Sequence, residues 1–210
     1  MAKDWIEWHS EYDDPDSALS ERRRQVTTLI RKSLDGAARG PVRILSLCAG
    51  NARDLADALR DHPRRTDVTG GVVELDRQLA DESRTNLEAA GGDIDVIVGD
   101  AGNVDTFGHL LPVDLLLLVG IFGNVPDGEV ETITRAVPAM CHDGANVIWT
   151  RHRRLPDLTP SVRRWFDAAG CTALDFISPG TGKFSVGRER VKARTAASRL
   201  PNQLFRFQDR

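Results

Sequence analysis

At 210 residues, with 40% hydrophobic and 28% charged content, the chain has the length and apolar share of one α/β domain with a complete core. A formal net charge of -3 and an isoelectric point near 6.0 exclude a global attraction to nucleic acid or an anionic membrane, and the arginine runs at 22–24 and 151–154 are local features. Cys48, Cys141 and Cys171 are scattered and lack CxxC or Cys/His spacing, so neither a disulfide framework nor a metal site is expected.

The opening residues MAKDWIEWHSEYDDPD are polar and acidic with no apolar leader segment, and the longest apolar run, 113–122, is too short to span a bilayer. A cytoplasmic setting without a membrane partner is the expectation. Trp8, His9, Tyr12, Asp13 and Asp14 form an aromatic and acidic cluster. It either closes as a lid that excludes water from a bound substrate, or anchors the chain by burying Trp5 and Trp8. In the lid role, which we favour, Tyr12 and His9 are catalytic candidates and Trp8 a substrate contact. The first helix is expected over 17–34, with Leu19, Arg23, Val26 and Ile30 at helical spacing and Ser17, Ser20 and Glu21 at its start. Residues 1–36 are assigned as this helical lid or extension and 37–210 as the main body of a single structural domain.

Short, β-branched apolar runs at 43–48, 69–75, 94–98, 114–120 and 145–151 predict strands covered on both faces, as a parallel sheet demands. Between them, 77–90 places Leu79, Ser83, Leu87 and Ala90 on one helical face and stops at Gly91-Gly92, and 127–140 does the same with Val130, Ile133, Thr134 and Val137. A helix over 161–169 then ends at Gly170. Strands at 172–177 and 183–189, joined by the turn-rich SPGTG, predict an antiparallel hairpin at the edge of a mixed sheet. The tail, 192–210, is polar at first; it is either loose or docks 204–207 as a short strand.

The stretch VRILSLCAGNARD, 42–54, followed by GVVELD ending at Asp76, has the layout of a nucleotide-type cofactor site: strand, small-residue turn, helix start, second strand closing on a carboxylate. Ala49, Gly50 and Ala52 let backbone approach a ligand, and Gly50 can take positive φ. Glu74 or Asp76 would accept from ribose hydroxyls, or cap the next helix. His152, at the end of the fifth strand, is a candidate base or a solvated loop histidine. Arg151 and Arg153 suit an anionic substrate or carboxylate partners, and Asn124 suits a substrate, the cofactor or the turn GNVPDG.

Over 42–191 the chain resembles the class I S-adenosylmethionine-dependent methyltransferases. The family's acid-x-G-x-G-x-G loop is matched by Ser46-Leu47-Cys48-Ala49-Gly50-Asn51-Ala52, with the acid and two glycines replaced, and Arg53-Asp54-Leu55 resembles the helix start after it. The resemblance implies cofactor contacts at Ser46, Cys48, Ala49, Gly50, Asn51 and Arg53. In GVVELD it implies ribose binding by Glu74, with Leu75 beside it and Asp76 as helix cap. In VIVGDAGN it implies that Asp100 takes the adenine amine and the Ala101 N–H an adenine ring nitrogen. In VDLLLLVGIFGNV it puts Gly120, Ile121 and Phe122 near the sulfonium. WHSEYDDP, IFGNV and IWTRHRR resemble a group of bacterial methyltransferase-like proteins.

The implied architecture is a Rossmann-like, seven-stranded mixed sheet of five parallel strands plus a C-terminal antiparallel hairpin, with helices on both faces. The implied activity is in-line methyl transfer from S-adenosyl-L-methionine to an O or N atom of a small-molecule acceptor, leaving S-adenosyl-L-homocysteine. Alignment and water exclusion would then dominate catalysis. A nicotinamide enzyme would need a G-x-G-x-x-G loop, which 49–54 does not supply, and the acidic balance and lack of an NPPY-type motif weigh against an RNA methyltransferase. An interaction module of the same fold remains the alternative, and a homodimer is left open.

Overall fold

Both odd and even positions of the central runs are apolar because each parity meets its own layer of helices. The computed structural model describes residues 14, 16–180, 182–192 and 200–207. Trp8, His9 and Tyr12, the lid candidates, lie outside the described residues. In chain order, helix α1 (Ala18–Asp35) precedes β1 (Val42–Leu47), α2 (Arg53–Leu59), β2 (Val68–Glu74), α3 (Arg77–Ala90), β3 (Asp93–Val98) and α4 (Val104–Phe107). Then come β4 (Val113–Leu118), α5 (Asp127–Met140), β5 (Cys141–His152), α6 (Thr159–Ala168), β6 (Cys171–Ile177) and β7 (Phe184–Val191).

The seven strands form one sheet in the order β3-β2-β1-β4-β5-β7-β6. Strands β1 to β5 are parallel. β7 runs antiparallel to both β5 and β6, which is the terminal hairpin the turn SPGTG predicts. On one face Leu45, Leu47, Leu116, Leu118 and Trp149 pack with Val130, Ile133 and Val137 of α5 and Phe166 of α6. On the other, Ile44, Leu115, Leu117 and Ile148 pack with Val26, Ile30 and Leu34 of α1 and Leu55 and Leu59 of α2.

Local signals explain the helix ends. Ser17 caps α1, its side chain accepting from Ser20 N, and Asp76 caps α3, accepting from Leu79 N at 3.0 Å. α3 stops at Gly91 with φ 81 and buries Leu79, Ser83, Leu87 and Ala90, the face its spacing predicts. α1 is tied to α2 by Thr27 Oγ1 donating to Asp54 O at 3.2 Å and by Arg31 donating to Ala58 O at 2.9 Å. Its buried stripe is Val26, Leu29, Ile30 and Leu34; Leu19 and Arg23, expected on that stripe, are only partly buried.

β5 begins at Cys141, earlier than the apolar run implies, because its pairing with β4 shifts register between Val113 and Leu115 and leaves 142–144 exposed. In the tail, Leu204 and Phe205 are buried, and Gln203 forms an isolated antiparallel bridge with Asn103 in place of a further strand. Among the described residues, no helix is long and apolar enough to cross a membrane.

Candidate active site

Strand order reverses between β1 and β4, so the loops leaving their C-terminal ends diverge and open a crevice. A cleft of about 470 Å³ lies there. That is within the rough 300–1,000 Å³ range of small-molecule sites. Its floor is the β1 loop. Cys48 (φ 54), Gly50 (φ 59) and Ala52 (φ 52) are all left-handed, so alternate residues carry the conformation that the glycines of the resembled loop adopt freely. At Cys48 and Ala52 this costs on the order of 1–2 kcal/mol each.

Contacts from α3 and β2 hold the strained loop. Ser83 Oγ donates to Gly50 O at 2.7 Å, Asn86 Nδ2 donates to Asn51 O at 2.8 Å, and Asn51 Nδ2 donates to Glu82 Oε2 at 3.1 Å. The Gly50 N–H donates to Glu74 Oε2 at 2.7 Å, and the Asp76 N–H donates to Glu74 Oε1 at 3.0 Å. The Glu74 carboxylate therefore joins the ends of β1 and β2. Burial raises its pKa above the ordinary carboxylate value, against the pull of the backbone N–H groups of Asp76, Gly50 and Leu75. An ionised carboxylate has about four acceptor positions, so Glu74 can take further donors from the cleft.

Asp100 follows β3. Its Oδ1 accepts from Gly102 N at 2.7 Å and its Oδ2 from Gln203 Nε2 at 3.3 Å, again leaving acceptor capacity. Gly120, beyond β4, has φ 81; its N–H donates to Thr150 Oγ1 at 2.9 Å, and a Cβ there would meet no heavy atom within 4 Å. The Cys48 thiol is pushed well up by burial, then by the charges of Glu74 and Asp100, which favours its protonated form and makes it a slow nucleophile.

The cleft gathers Ser46, Cys48, Ala49, Gly50, Asn51 and Arg53 from the end of β1, Glu74 and Leu75 from β2, Asp100 and Ala101 from β3, and Gly120. Phe122 is not among its lining residues, which corrects the expectation for it. It is fully buried, 6.0 Å from the Trp149 ring and 6.3 Å from that of Phe166, because the chain turns inward after Gly120. The described acceptor-side candidates, Asn124, Arg151 and His152, likewise do not line the cleft. Asn124 Nδ2 donates to Gly120 O at 2.6 Å, bracing the turn. Arg151 is buried and donates to Phe122 O, with Asp127 Oδ1 at 3.5 Å. His152 packs over Gly123 and accepts from Arg154 N at 3.3 Å through Nδ1.

Arg22, Arg23 and Val26 of α1, with Asp54, Leu79, Val119 and Phe207, also line the cleft. Burial raises the Asp54 pKa, partly offset by the Leu55 N–H and by Arg22. In the sequence the arginine run at 22–24 is a local feature and 204–207 a candidate docked strand; neither pattern places those residues at this cleft. Among the described residues, no group of three or more His, Cys, Asp or Glu side chains could hold a metal ion.

A seven-stranded sheet in this order, five strands parallel and the last hairpin antiparallel, with its cleft at the switch point, is the fold of the class I S-adenosylmethionine-dependent methyltransferases. Solved structures agree at low sequence identity. A methyltransferase from Pyrococcus furiosus matches with a TM-score of 0.59 and 13% identity, over 80% of this chain and 83% of that one. The CurJ carbon methyltransferase matches with a TM-score of 0.64 and 11% identity, over 88% of this chain and 58% of its own. A protein described as a methyltransferase and solved with S-adenosylhomocysteine gives 0.59 and 14%, over 78% of this chain and 48% of its own. No family model and no curated protein sequence matches the chain.

Proposed function

We propose that this chain is an S-adenosylmethionine-dependent methyltransferase acting on an O or N atom of a small molecule. The observation that carries this is the position of Glu74: at the tip of β2, clamped by Gly50 N–H and Asp76 N–H, and lining one cleft with Asp100. A diol on one carboxylate and an aromatic amine on the other is the donor pattern of an adenosine. The open space at Gly120 fits the same ligand, since it leaves room on the β4 side of the cleft.

In this assignment Glu74 holds the ribose hydroxyls, Asp100 the adenine amine, and the Ala101 N–H an adenine ring nitrogen. Bound there, S-adenosylmethionine would supply an electrophilic methyl and leave as S-adenosylhomocysteine. The protein's own part is alignment and exclusion of water. Arg22, Arg23 and Arg53 bring positive charge to the cleft, which suits a carboxylate on the ligand or the acceptor.

Calorimetric titration of the full chain with S-adenosylhomocysteine and S-adenosylmethionine tests this. Binding abolished by Glu74→Ala and by Asp100→Ala is the expected result, and no heat at millimolar ligand would sink the assignment. One observation favours a second possibility, a cofactor-binding module without turnover: the β1 loop carries Ser46, Cys48 and Ala52 where the resembled loop has an acid and two glycines, and Asn124 and Arg151 brace the backbone outside the cleft. Tight binding with no methyl transfer to any of a panel of O and N acceptors would select it.

A further inference from the structure

Residues 200–207 lie against the loop that follows β3. The Leu204 N–H donates to Gly102 O at 2.7 Å, Val104 N–H donates to Asn202 O at 2.9 Å, and Arg206 N–H donates to Glu129 Oε2 at 2.7 Å. Leu204 and Phe205 are each 1% exposed, so the segment is anchored by burial as well as by backbone bonds. The approach is so close that a Cβ on Gly102 would lie 2.1 Å from Phe205 O. The anchored backbone delivers two side chains to the Asp100 end of the cleft. Gln203 Nε2 donates to Phe205 O at 2.7 Å and to Asp100 Oδ2 at 3.3 Å. Phe207 stands edge-on to Phe205, ring centroids 5.8 Å apart, and lines the cleft.

Among the described residues few large apolar side chains are left in water, and two of them line this one cleft: Leu75, 70% exposed, and Phe207, 38% exposed. An aromatic face and an aliphatic side chain near a carboxylate suit a flat, weakly polar ring with an amine on its edge. We propose that Phe207 and Gln203 recognise the adenine base: Phe207 offers its ring as a stacking face, and Gln203 is a positioning residue that orients the Asp100 carboxylate toward the exocyclic amine. This rests on the cofactor assignment above.

The test uses the full chain with two ligands, S-adenosylhomocysteine and 5′-methylthioadenosine, which carries the base and ribose but no amino acid. Phe207→Ala should weaken both by roughly tenfold, the loss expected when a base loses an aromatic stacking partner. Phe207→Trp should restore affinity for both, since only the aromatic face is required. Gln203→Ala should weaken both several-fold, with the thermal midpoint of the unliganded protein unchanged. Affinity of Phe207→Ala within twofold of the parent protein, a loss confined to S-adenosylhomocysteine, or tighter binding by Gln203→Ala would each overturn the proposal. If the parent protein binds neither ligand, the cofactor assignment itself falls and this proposal with it.

Discussion

Replacing Glu74 by glutamine separates the two roles its carboxylate has. Oε2 accepts from Gly50 N–H and Oε1 from Asp76 N–H, and a carboxamide offers only one accepting oxygen. The other backbone N–H would then face an NH2 group. A hydrogen bond to a charged partner contributes about 1.5–3 kcal/mol. Burial acts in the opposite direction, because the neutral amide escapes the desolvation that raises the Glu74 pKa. What remains is the backbone N–H left facing the NH2 group, an unmet buried donor that costs about 1.5 kcal/mol. For a domain of this size that lowers the thermal midpoint by about 3–6 °C. Loss of the ribose acceptor should weaken S-adenosylhomocysteine by a further 10- to 100-fold or so. Differential scanning fluorimetry without ligand reads the first effect and calorimetry the second. A midpoint within about 1 °C of the parent protein would refute the clamp. A lowered midpoint with unchanged affinity would leave Glu74 a structural residue only.

The pH dependence has a definite sign. Burial raises the Glu74 pKa, so folding favours its protonated form, and its contribution to stability is present at low pH and lost as pH rises through the folded value. Ribose binding needs the carboxylate, so affinity for S-adenosylhomocysteine should fall on acidification before an ordinary glutamate would titrate; affinity flat down to pH of about 4.3 would contradict this. In the β1 loop, Ala52→Gly relieves the left-handed strain while losing a buried methyl and adding unfolded-chain freedom, so stability should stay within about 1 kcal/mol of the parent protein. Urea denaturation checks it, and a loss of 2 kcal/mol or so would show that the strain is not there. Cys48 lines the cleft while Cys141 and Cys171 are buried, so slow alkylation should reach Cys48 first and be slowed further by S-adenosylhomocysteine. Peptide mass mapping that finds equal labelling with and without ligand would place the ligand elsewhere.

Much of the site was legible because strand ends are legible. In a parallel sheet the residue that closes an apolar run sits at the edge where ligands bind, so the pattern narrowed the second strand's carboxylate to Glu74 or Asp76, while the choice of Glu74 and the role of Asp100 came from the family resemblance. Asp76 was recognisable as a cap, and Gly91 as a stop, from residue type and spacing. The β1 loop was less clear, since Cys48 and Ala52 hide a glycine-like backbone whose support comes from Ser83 and Asn86 on another element. Residues just beyond a strand were the least legible. Gly120 faces the cleft and Phe122 the core, and the difference is a backbone turn that carries no periodicity.

By itself the sequence determined the mixed sheet with its final hairpin, strands covered on both faces, and a carboxylate at the end of β2. Those follow from local rules of periodicity, capping and turn chemistry, which act within a few residues. Only the tertiary structure decided that α1 brings Arg22 and Arg23 to the cleft, that Arg151 turns inward, and that the segment around Phe207 closes the Asp100 end. Each depends on contacts between residues far apart in the chain, which no local pattern specifies.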